Sequence, residues 1–355
     1  MTRPGAADAA FHCLTLFTEA GLEVDVLPFG AYISAIRCFG QQLTLSYPTP
    51  AQYHSDPYYL GATVGRYANR IRHGRFCLQQ QSYQLDNNAK GHCLHGGAGQ
   101  NGALHQQRWQ LLWHTKDTLQ LYLLSPDGSC GFPGELQIWC TIKLQHTKLF
   151  CEYKALSDKD TVLNLTNHCY FNLNTDGSCI DNHLLHSGAS HYLPTDADVL
   201  PTGDISPVVG TVFDFQQPTA LSERLQQPAT ELSAKSGFDH CLVWPATAAQ
   251  AGPELTWRAS LWSPQSGIQL RLFSNKTGLQ LYTGQFLATP FLPRQALCLE
   301  AQHWPDAPNQ PHFAPALLKA GQWYQHQLCY QFLQHPAELW PTEPSSHQVT
   351  TGTDV

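Results

Sequence analysis

The chain has 355 residues, of which 42% are hydrophobic and 13% charged, and its formal net charge is −7. This hydrophobic content is enough for a large core and excludes an extensively disordered chain. The negative charge argues against nucleic acid or an anionic membrane as a partner, and no apolar run approaches the roughly 20 residues of a membrane span.

Short strands separated by turn residues are predicted along the whole chain. The 26 glycines and 24 prolines interrupt it frequently, and the segments between them have the composition of strands. In chain order, the predicted strands are residues 23–27, 119–124, 136–144, 149–156, 268–273 and 279–282. One short helix is predicted at residues 219–225. This pattern predicts an all-β sandwich or barrel.

Two segments show the alternation of a strand most clearly. In LQIWCTIKL, the apolar residues from Leu136 to Leu144 fall on every second position and therefore share one face. In VLNLTNHCYFNL, residues 162–173, odd positions are mostly apolar, whereas even positions carry polar side chains, including His168. We predict one strand here, with His168 on a polar face. That face is either a solvated surface or the wall of a binding cleft.

The organisation of the chain is predicted to be simple. No repeat or long linker divides it, so one domain over residues 1–340 is expected, followed by a disordered polar tail at 341–355. Twelve cysteines without any C-x-x-C pair predict free thiols in a reducing compartment, not a disulfide framework or a metal site. The N-terminus also lacks a signal-peptide pattern, so a cytoplasmic location is expected.

One motif suggests a nucleotide and is set aside. Residues 97–102 match G-x-G-x-x-G, but that fingerprint requires a buried strand before it and a helix after it. KGHCLH precedes the motif here and is no hydrophobic strand. The 18 histidines likewise show no metal-ligand spacing beside a carboxylate. No cofactor and no metal are therefore predicted.

Five segments combine polar side chains with glycine, proline or aromatic neighbours. They are GATVGRYANRI with Asn69 and Arg70, CLHGG with His95, LTNHCYFNL with His168, SGFDHCLVW with Asp239, and CLEAQHWPDAPNQPHF with Glu300. Each polar residue alone could have a structural role, as a surface ion pair, a turn residue or a cap. Together, an arginine, two histidines and two carboxylates favour a functional site. The glycines after His95 would allow close approach of a ligand to the backbone.

These segments, in this order and spacing, resemble the aldose 1-epimerase (galactose mutarotase) family. The resemblance runs from about Gly21 to about Leu333 and implies a single large antiparallel β-sandwich, the galactose mutarotase-like supersandwich. It also implies the interconversion of α and β anomers of free hexoses such as galactose and glucose, without a cofactor. The implied roles are Glu300 as general base, His168 as general acid, His95 near the ring oxygen, and Asn69, Arg70, Asp239 and Gln280 as ligands of the sugar hydroxyls.

The implied chemistry requires the sugar ring to open. A base removes the proton of the anomeric hydroxyl while an acid protonates the ring oxygen, and we expect the two groups on opposite sides of the C1–O5 bond. A glutamate is ordinarily deprotonated at neutral pH, and a histidine is partly protonated. Asp239 is expected to help keep His168 protonated.

The chain departs from the family pattern in AGQNGALHQQRW, where an aromatic residue is missing, so the preferred sugar stays open. Three alternatives also stay open: a hexose-6-phosphate 1-epimerase, a glycoside hydrolase with Asp239 and Glu300 as its carboxylate pair, and a non-catalytic sugar-binding protein. The expected partner is a small aldose, with no nucleic acid and no membrane. The sequence is compatible with a monomer or a homodimer.

Overall fold

The chain folds into many short strands that pair in an antiparallel manner. The computed structural model describes residues 12–98, 102–228, 232, 237–244, 254–336 and 348–349. Up to residue 171, the strands are β1 (Leu14–Phe17), β2 (Glu23–Leu27), β3 (Tyr32–Cys38), β4 (Gln41–Gln42), β5 (Thr63–Val64), β6 (Arg70–Ile71), β7 (Arg75–Leu78), β8 (Gln81–Gln84), β9 (Cys93–Leu94), β10 (Gln110–His114), β11 (Thr118–Ser125), β12 (Leu136–Gln145), β13 (Lys148–Ser157), β14 (Thr161–Val162), β15 (Thr166–Asn167) and β16 (Tyr170–Phe171).

The remaining elements complete two large sheets. The later strands are β17 (Leu184–Ser187), β18 (His191–Tyr192), β19 (Ser206–Pro207), β20 (Thr219–Ala220), β21 (Asp239–Val243), β22 (Leu255–Trp262), β23 (Ile268–Ser274), β24 (Gly278–Tyr282), β25 (Leu297–Gln302), β26 (Leu317–Leu318), β27 (Trp323–Gln334) and β28 (Gln348–Val349). The described residues also form helix α1 (Leu221–Leu225) and 3-10 turns at Pro50–Ser55, Arg72–Gly74, Leu104–Gln106, Ser129–Gly131, Ile180–Asn182 and Ala307–Asn309.

The architecture is a large antiparallel β-sandwich, as predicted. A ten-stranded sheet runs in the order β10-β11-β12-β13-β27-β23-β22-β17-β20, with β28 beside β22. A six-stranded sheet runs β16-β25-β24-β21-β18-β19, and β1 to β4 form a four-stranded sheet. Strand β27, near the end of the chain, lies between β13 and β23 and so joins strands from both halves of the sequence.

The hydrophobic core lies between these sheets. The predicted apolar face of β12, represented by Ile138, is buried in one cluster with Leu279 and Leu299 of the six-stranded sheet and Val24 of the four-stranded sheet. Each fully buried large aliphatic side chain of this kind contributes about 1.5–3 kcal/mol. The six predicted strands are confirmed, with bounds that differ by at most one residue. The predicted helix at residues 219–225 is shorter than expected, because its first two residues pair with β17 as strand β20.

The prediction of one continuous strand over residues 162–173 is wrong. The structure forms three two-residue strands there, and each pairs with a different partner: β14 with β26, β15 with β5, and β16 with β25. The chain therefore passes through three different sheets instead of following one. His168 lies in the short connection between β15 and β16, and it is buried rather than on a solvated face.

Other sequence-based expectations concern the ends of the chain and its thiols. All twelve cysteines are free thiols. None of the described helices is long and apolar enough to cross a membrane. The single domain over residues 1–340 stays a prediction. So does the disorder of the tail, which lies outside the described residues except for Gln348 and Val349, paired with Thr256 and Leu255.

Candidate active site

A cleft with a volume of about 130 Å³ brings together side chains from all five polar segments. Its lining residues are Tyr59, Asn69, Arg70, Leu94, His95, His168, Asp239, Tyr282, Phe286 and Glu300. A groove of about 140 Å³ also lies on the outer face of the ten-stranded sheet, but the described residues that line it include no histidine. We therefore place the candidate active site in the smaller cleft, where acidic, basic and aromatic groups converge.

His168 and Glu300 lie side by side in this cleft. Strand β25 carries Glu300, and Nε2 of His168 is 3.6 Å from Oε1 of Glu300. The two residues are only 4% and 2% exposed, and Oε2 of Glu300 has no hydrogen-bond partner within the described part of the protein. The two groups are therefore close enough to reach neighbouring oxygens of one sugar, and their placement about the C1–O5 bond stays a prediction.

Side-chain hydrogen bonds attach the segment of His168 to the strand of Glu300. The hydroxyl of Thr166 donates to the carbonyl oxygen of Ala301 at 2.7 Å. The side chain of Asn164 accepts from the backbone N–H of His303 at 2.8 Å and donates to its carbonyl at 3.3 Å. These polar side chains are thus structural. Of the even-numbered polar row that the sequence shows, only His168 lines the cleft.

His95 and Asn69 support each other in unusual backbone conformations. Both have a left-handed φ, +51° for His95 and +63° for Asn69. The N–H of His95 donates to the carbonyl of Asn69 at 3.0 Å, and the N–H of Asn69 donates to Nδ1 of His95 at 3.2 Å. Because Nδ1 accepts, the neutral ring carries its proton on Nε2. His95 therefore offers a hydrogen-bond donor at Nε2.

The glycine after His95 is required by close packing of the protein backbone. Gly96 has φ +88°, and a Cβ there would collide with the carbonyl oxygen of Gly65. Only glycine fits such a close approach in this conformation. Gly96 therefore has a packing role that holds the His95 turn against residues 65–66, and the approach of a ligand to the glycine pair stays a prediction.

His95, His168 and Glu300 also have the composition of a metal site. Their potential ligand atoms lie within 4.8 Å of one another. A histidine that binds a metal through one nitrogen usually donates the N–H of the other nitrogen to an acceptor. Nδ1 of His95 does the reverse, since it accepts from Asn69. The tautomer of His95 therefore fits a hydrogen-bond donor to a ligand oxygen better than a metal ligand.

Burial dominates the electrostatics of the cleft. It raises the pKa of Glu300 well above its ordinary value, and Asp239 adds to this effect while Arg70 opposes it. Burial also lowers the pKa of His168 to about 4, although Asp239 acts in the opposite direction. The predicted influence of Asp239 on His168 is thus present but weaker than desolvation. The pKa of His95 is lowered well below its usual range, first by burial and then by His168.

Arg70, Asp239 and Gln280 form a chain of polar contacts along one wall. Nη2 of Arg70 lies 3.3 Å from Oδ2 of Asp239. Nε2 of Gln280 donates to Oδ1 of the same carboxylate at 2.7 Å. The side chain of Asn69 accepts from the backbone N–H of Arg70 at 2.8 Å. Gln280 does not line the cleft. Its contact orients Asp239, so its predicted contact with the sugar stays a prediction.

Four lining residues were not identified from the sequence: Tyr59, Leu94, Tyr282 and Phe286. The rings of Tyr282 and Phe286 stack at 6.4 Å, and Phe286 is 41% exposed. Tyr59 packs on His95 with a ring distance of 4.6 Å. Two of the four could have been identified from the sequence. Tyr282 lies two residues after Gln280 in the alternating segment LQLYTGQF and so shares its face of the strand, and Leu94 directly precedes His95.

Comparisons with known proteins identify the family of this chain. The aldose 1-epimerase family profile matches residues 12–331. The galactose mutarotase of Mus musculus is 36% identical over 88% of this chain and 91% of its own length, and the aldose 1-epimerase of Escherichia coli K12 is 30% identical over 91% and 95%. The crystal structure of an aldose epimerase homologue from C. elegans superposes with a TM-score of 0.83 at 28% identity, over 91% of this chain and 99% of that one. This chain belongs to the aldose 1-epimerase family.

Proposed function

We propose that this protein interconverts the α and β anomers of free aldoses, with galactose and glucose among its substrates. The observation that carries the proposal is the pair of Glu300 and His168, 3.6 Å apart and buried in the cleft. The names of its relatives, galactose mutarotase and aldose 1-epimerase, support the same reaction.

In the proposed reaction, the carboxylate of Glu300 removes the proton of the anomeric hydroxyl O1. His168 donates its Nε2 proton to the ring oxygen O5, and the C1–O5 bond breaks to leave an open-chain aldehyde. Rotation about C1–C2 presents the other face of the carbonyl, and the protons return as the ring closes. O1 and O5 are bonded to the same carbon, so an adjacent base and acid can serve both oxygens.

The remaining polar groups are proposed to hold the sugar. His95 donates from Nε2 to an oxygen near the reacting bond, Arg70 donates from its guanidinium to hydroxyl oxygens, and Asp239 accepts from hydroxyl groups. The aromatic side chains at the rim give the apolar face of the ring a contact surface. Gln280 supports this set by fixing the carboxylate of Asp239.

The proton inventory of the catalytic pair follows from its burial. Desolvation disfavours both the charged carboxylate and the charged imidazole, while their proximity favours the ion pair. At neutral pH the pair therefore holds one proton between its two members. With the proton on His168, the pair consists of a base and an acid ready for ring opening, and it titrates as one coupled unit.

We expect a bell-shaped dependence of kcat/KM on pH. On the acid side, activity should fall when the pair takes up a second proton, because Glu300 can then no longer act as a base. The lowered pKa of His168 places this uptake near pH 4. On the alkaline side, activity should fall when the pair loses its single proton, at a pH well above the ordinary glutamate value because the pKa of Glu300 is raised. Polarimetric rates across the pH range would measure this, and a loss of activity on acidification already near pH 6.5, the ordinary histidine value, would contradict the assignment.

Mutarotation assays test the proposed activity directly. Freshly dissolved α-D-galactose and α-D-glucose should reach anomeric equilibrium faster with micromolar protein than in buffer alone, as followed by polarimetry. Heat-denatured protein serves as the control, because it contains the same titratable groups without the cleft. Equal rates with native and denatured protein would reject the proposal.

The alternatives are separable by substrate. Among the described residues that line the cleft, Arg70 is the only lysine or arginine, and Asp239 neutralises it, which favours an unphosphorylated sugar. Faster conversion of glucose 6-phosphate than of glucose would support a hexose-6-phosphate 1-epimerase instead. Release of the aryl group from an aryl glycoside would indicate a hydrolase, and sugar binding without turnover a non-catalytic binding protein.

We also propose a reducing, cytoplasmic location. The twelve free thiols support it, since secreted proteins commonly pair their cysteines. Whether the protein is a monomer or a homodimer is a question for sedimentation in solution.

A further inference from the structure

Strand β25 contacts the imidazole of His168 at both nitrogens. Side chains two residues apart in a strand point to the same face, so Cys298 and Glu300 project together from β25. Glu300 Oε1 lies 3.6 Å from Nε2 of His168, and Sγ of Cys298 lies 3.5 Å from its Nδ1. The proposed reaction uses only the Nε2 side and leaves the role of the thiol open.

The chemistry of ring opening places a demand on Nδ1. When His168 gives its Nε2 proton to the sugar and later takes it back, Nδ1 keeps its own proton throughout. That N–H needs an acceptor, because an unpaired buried donor is unfavourable. Cys298 is 0% exposed, and burial raises the pKa of its thiol well above the ordinary value, so it stays a neutral S–H group.

A neutral thiol suits this position better than a stronger acceptor. Sulfur is a weak hydrogen-bond acceptor, so it can orient the Nδ1–H bond without strongly stabilising the imidazolium. A carboxylate there would hold the proton on His168 and weaken it as an acid. The thiol therefore fits a histidine that must release its proton to a hemiacetal oxygen, which is a very weak base.

We propose that Cys298 is a positioning residue for this reaction: its thiol accepts the Nδ1–H of His168 and holds Nε2 toward Glu300 and the sugar. The inference rests on the proposed function, because it assigns His168 the role of acid. Cys298 itself touches neither the sugar nor the proton in transfer. It acts only through the imidazole.

Several other groups influence the protonation of His168, and a test must keep them constant. Glu300 lies at Nε2. A hydrogen bond to the backbone of His168 itself and, to a smaller extent, Asp239 favour the protonated ring. The ring centroids of His95, Tyr170 and Tyr59 lie 5.1, 5.2 and 5.8 Å, respectively, from the ring centroid of His168. Arg70 and Tyr282 also line the cleft, and His105 interacts with the imidazole of His168. Substitution of Cys298 leaves these side chains in place, and the thiol itself also contacts Tyr170, so the serine variant, which keeps a polar group at this position, is an essential part of the test.

The test compares Cys298→Ala and Cys298→Ser with Cys329→Ala. Cys329 is also 0% exposed but lies on β27, so its alanine variant reproduces the loss of a buried thiol without touching His168. We expect Cys298→Ala to lower kcat roughly five- to tenfold and to leave KM unchanged. This factor corresponds to the free energy of one modest hydrogen bond. Its alkaline pH limb should move to lower pH. Cys298→Ser should recover most of the rate, and Cys329→Ala should match wild type.

An NMR titration separates this inference from the proposed function. The Cε1–H signal of His168, assigned by its absence in His168→Asn, reports the protonation of the ring without any sugar. Its midpoint should fall to lower pH in Cys298→Ala and stay near wild type in Cys298→Ser and Cys329→Ala. An unchanged midpoint in Cys298→Ala would overturn the inference whatever the activity. A shifted midpoint in a protein that does not accelerate mutarotation would instead reject the proposed function.

Discussion

Replacing Glu300 by glutamine is expected to reduce kcat for mutarotation at least about a hundredfold, the usual loss when a general base is removed. Glutamine has the same shape as glutamate but cannot take the proton of the anomeric hydroxyl. The carboxylate is buried and its Oε2 has no hydrogen-bond partner in the described residues. The amide therefore removes an unfavourably buried acid, and the fold should be retained.

Polarimetry at saturating galactose, together with a thermal melt, measures this result. Glu152→Gln is the matched control, because Glu152 accepts hydrogen bonds from Gln325 and Gln327 on the outer face of the ten-stranded sheet, away from the cleft. The control should keep wild-type activity. Near-normal turnover by Glu300→Gln would show that another group is the base.

Replacing His168 by asparagine is expected to cause a similar loss, at least about a hundredfold in kcat. Asparagine can still donate a hydrogen bond, but it cannot transfer a proton to the ring oxygen. The leaving oxygen would then depart without protonation, which raises the barrier to ring opening. The alkaline limb of the pH profile should also disappear if it reports the proton shared by His168 and Glu300.

The control for this variant is His114→Asn, since His114 is exposed on β10. It should behave like wild type. The double variant of Glu300→Gln and His168→Asn should have a kcat only slightly below that of the less active single variant, because both groups act in one step. Losses that multiply would indicate that the two residues act independently and would contradict the proposed pair.

Much of the fold was predictable because alternation of apolar residues is a local signal. It located β12 and β13 to within one residue, and their pairing buries the expected face. The segment from 162 to 173 was mispredicted for a physical reason. Its alternation is real, but its three short strands pair with β26, β5 and β25, which come from distant parts of the chain. Such long-range partners leave no local trace in sequence.

The candidate site was predicted in composition but not in geometry. The polar motifs identified six side chains that line the cleft, including His168 and Glu300. Their adjacency could not be predicted, since it depends on Thr166 and Asn164, which bind the backbone of β25 and beyond. The tautomer of His95 could not be predicted either, because it depends on the hydrogen bond that the backbone N–H of Asn69 donates to Nδ1 of His95. Cys298 counted in the sequence only as another buried thiol.

The two hydrogen-bonding side chains that join the His168 segment to β25 have an evolutionary consequence. They attach the segment of His168 to the strand and backbone next to Glu300, whereas Phe286 at the rim of the cleft belongs to the segment after β24. Mutations at the rim can therefore alter which sugars are accepted without disturbing proton transfer. Homologous enzymes could therefore evolve different sugar specificities while keeping the same reaction. The rim is accordingly the region in which to engineer a new substrate preference.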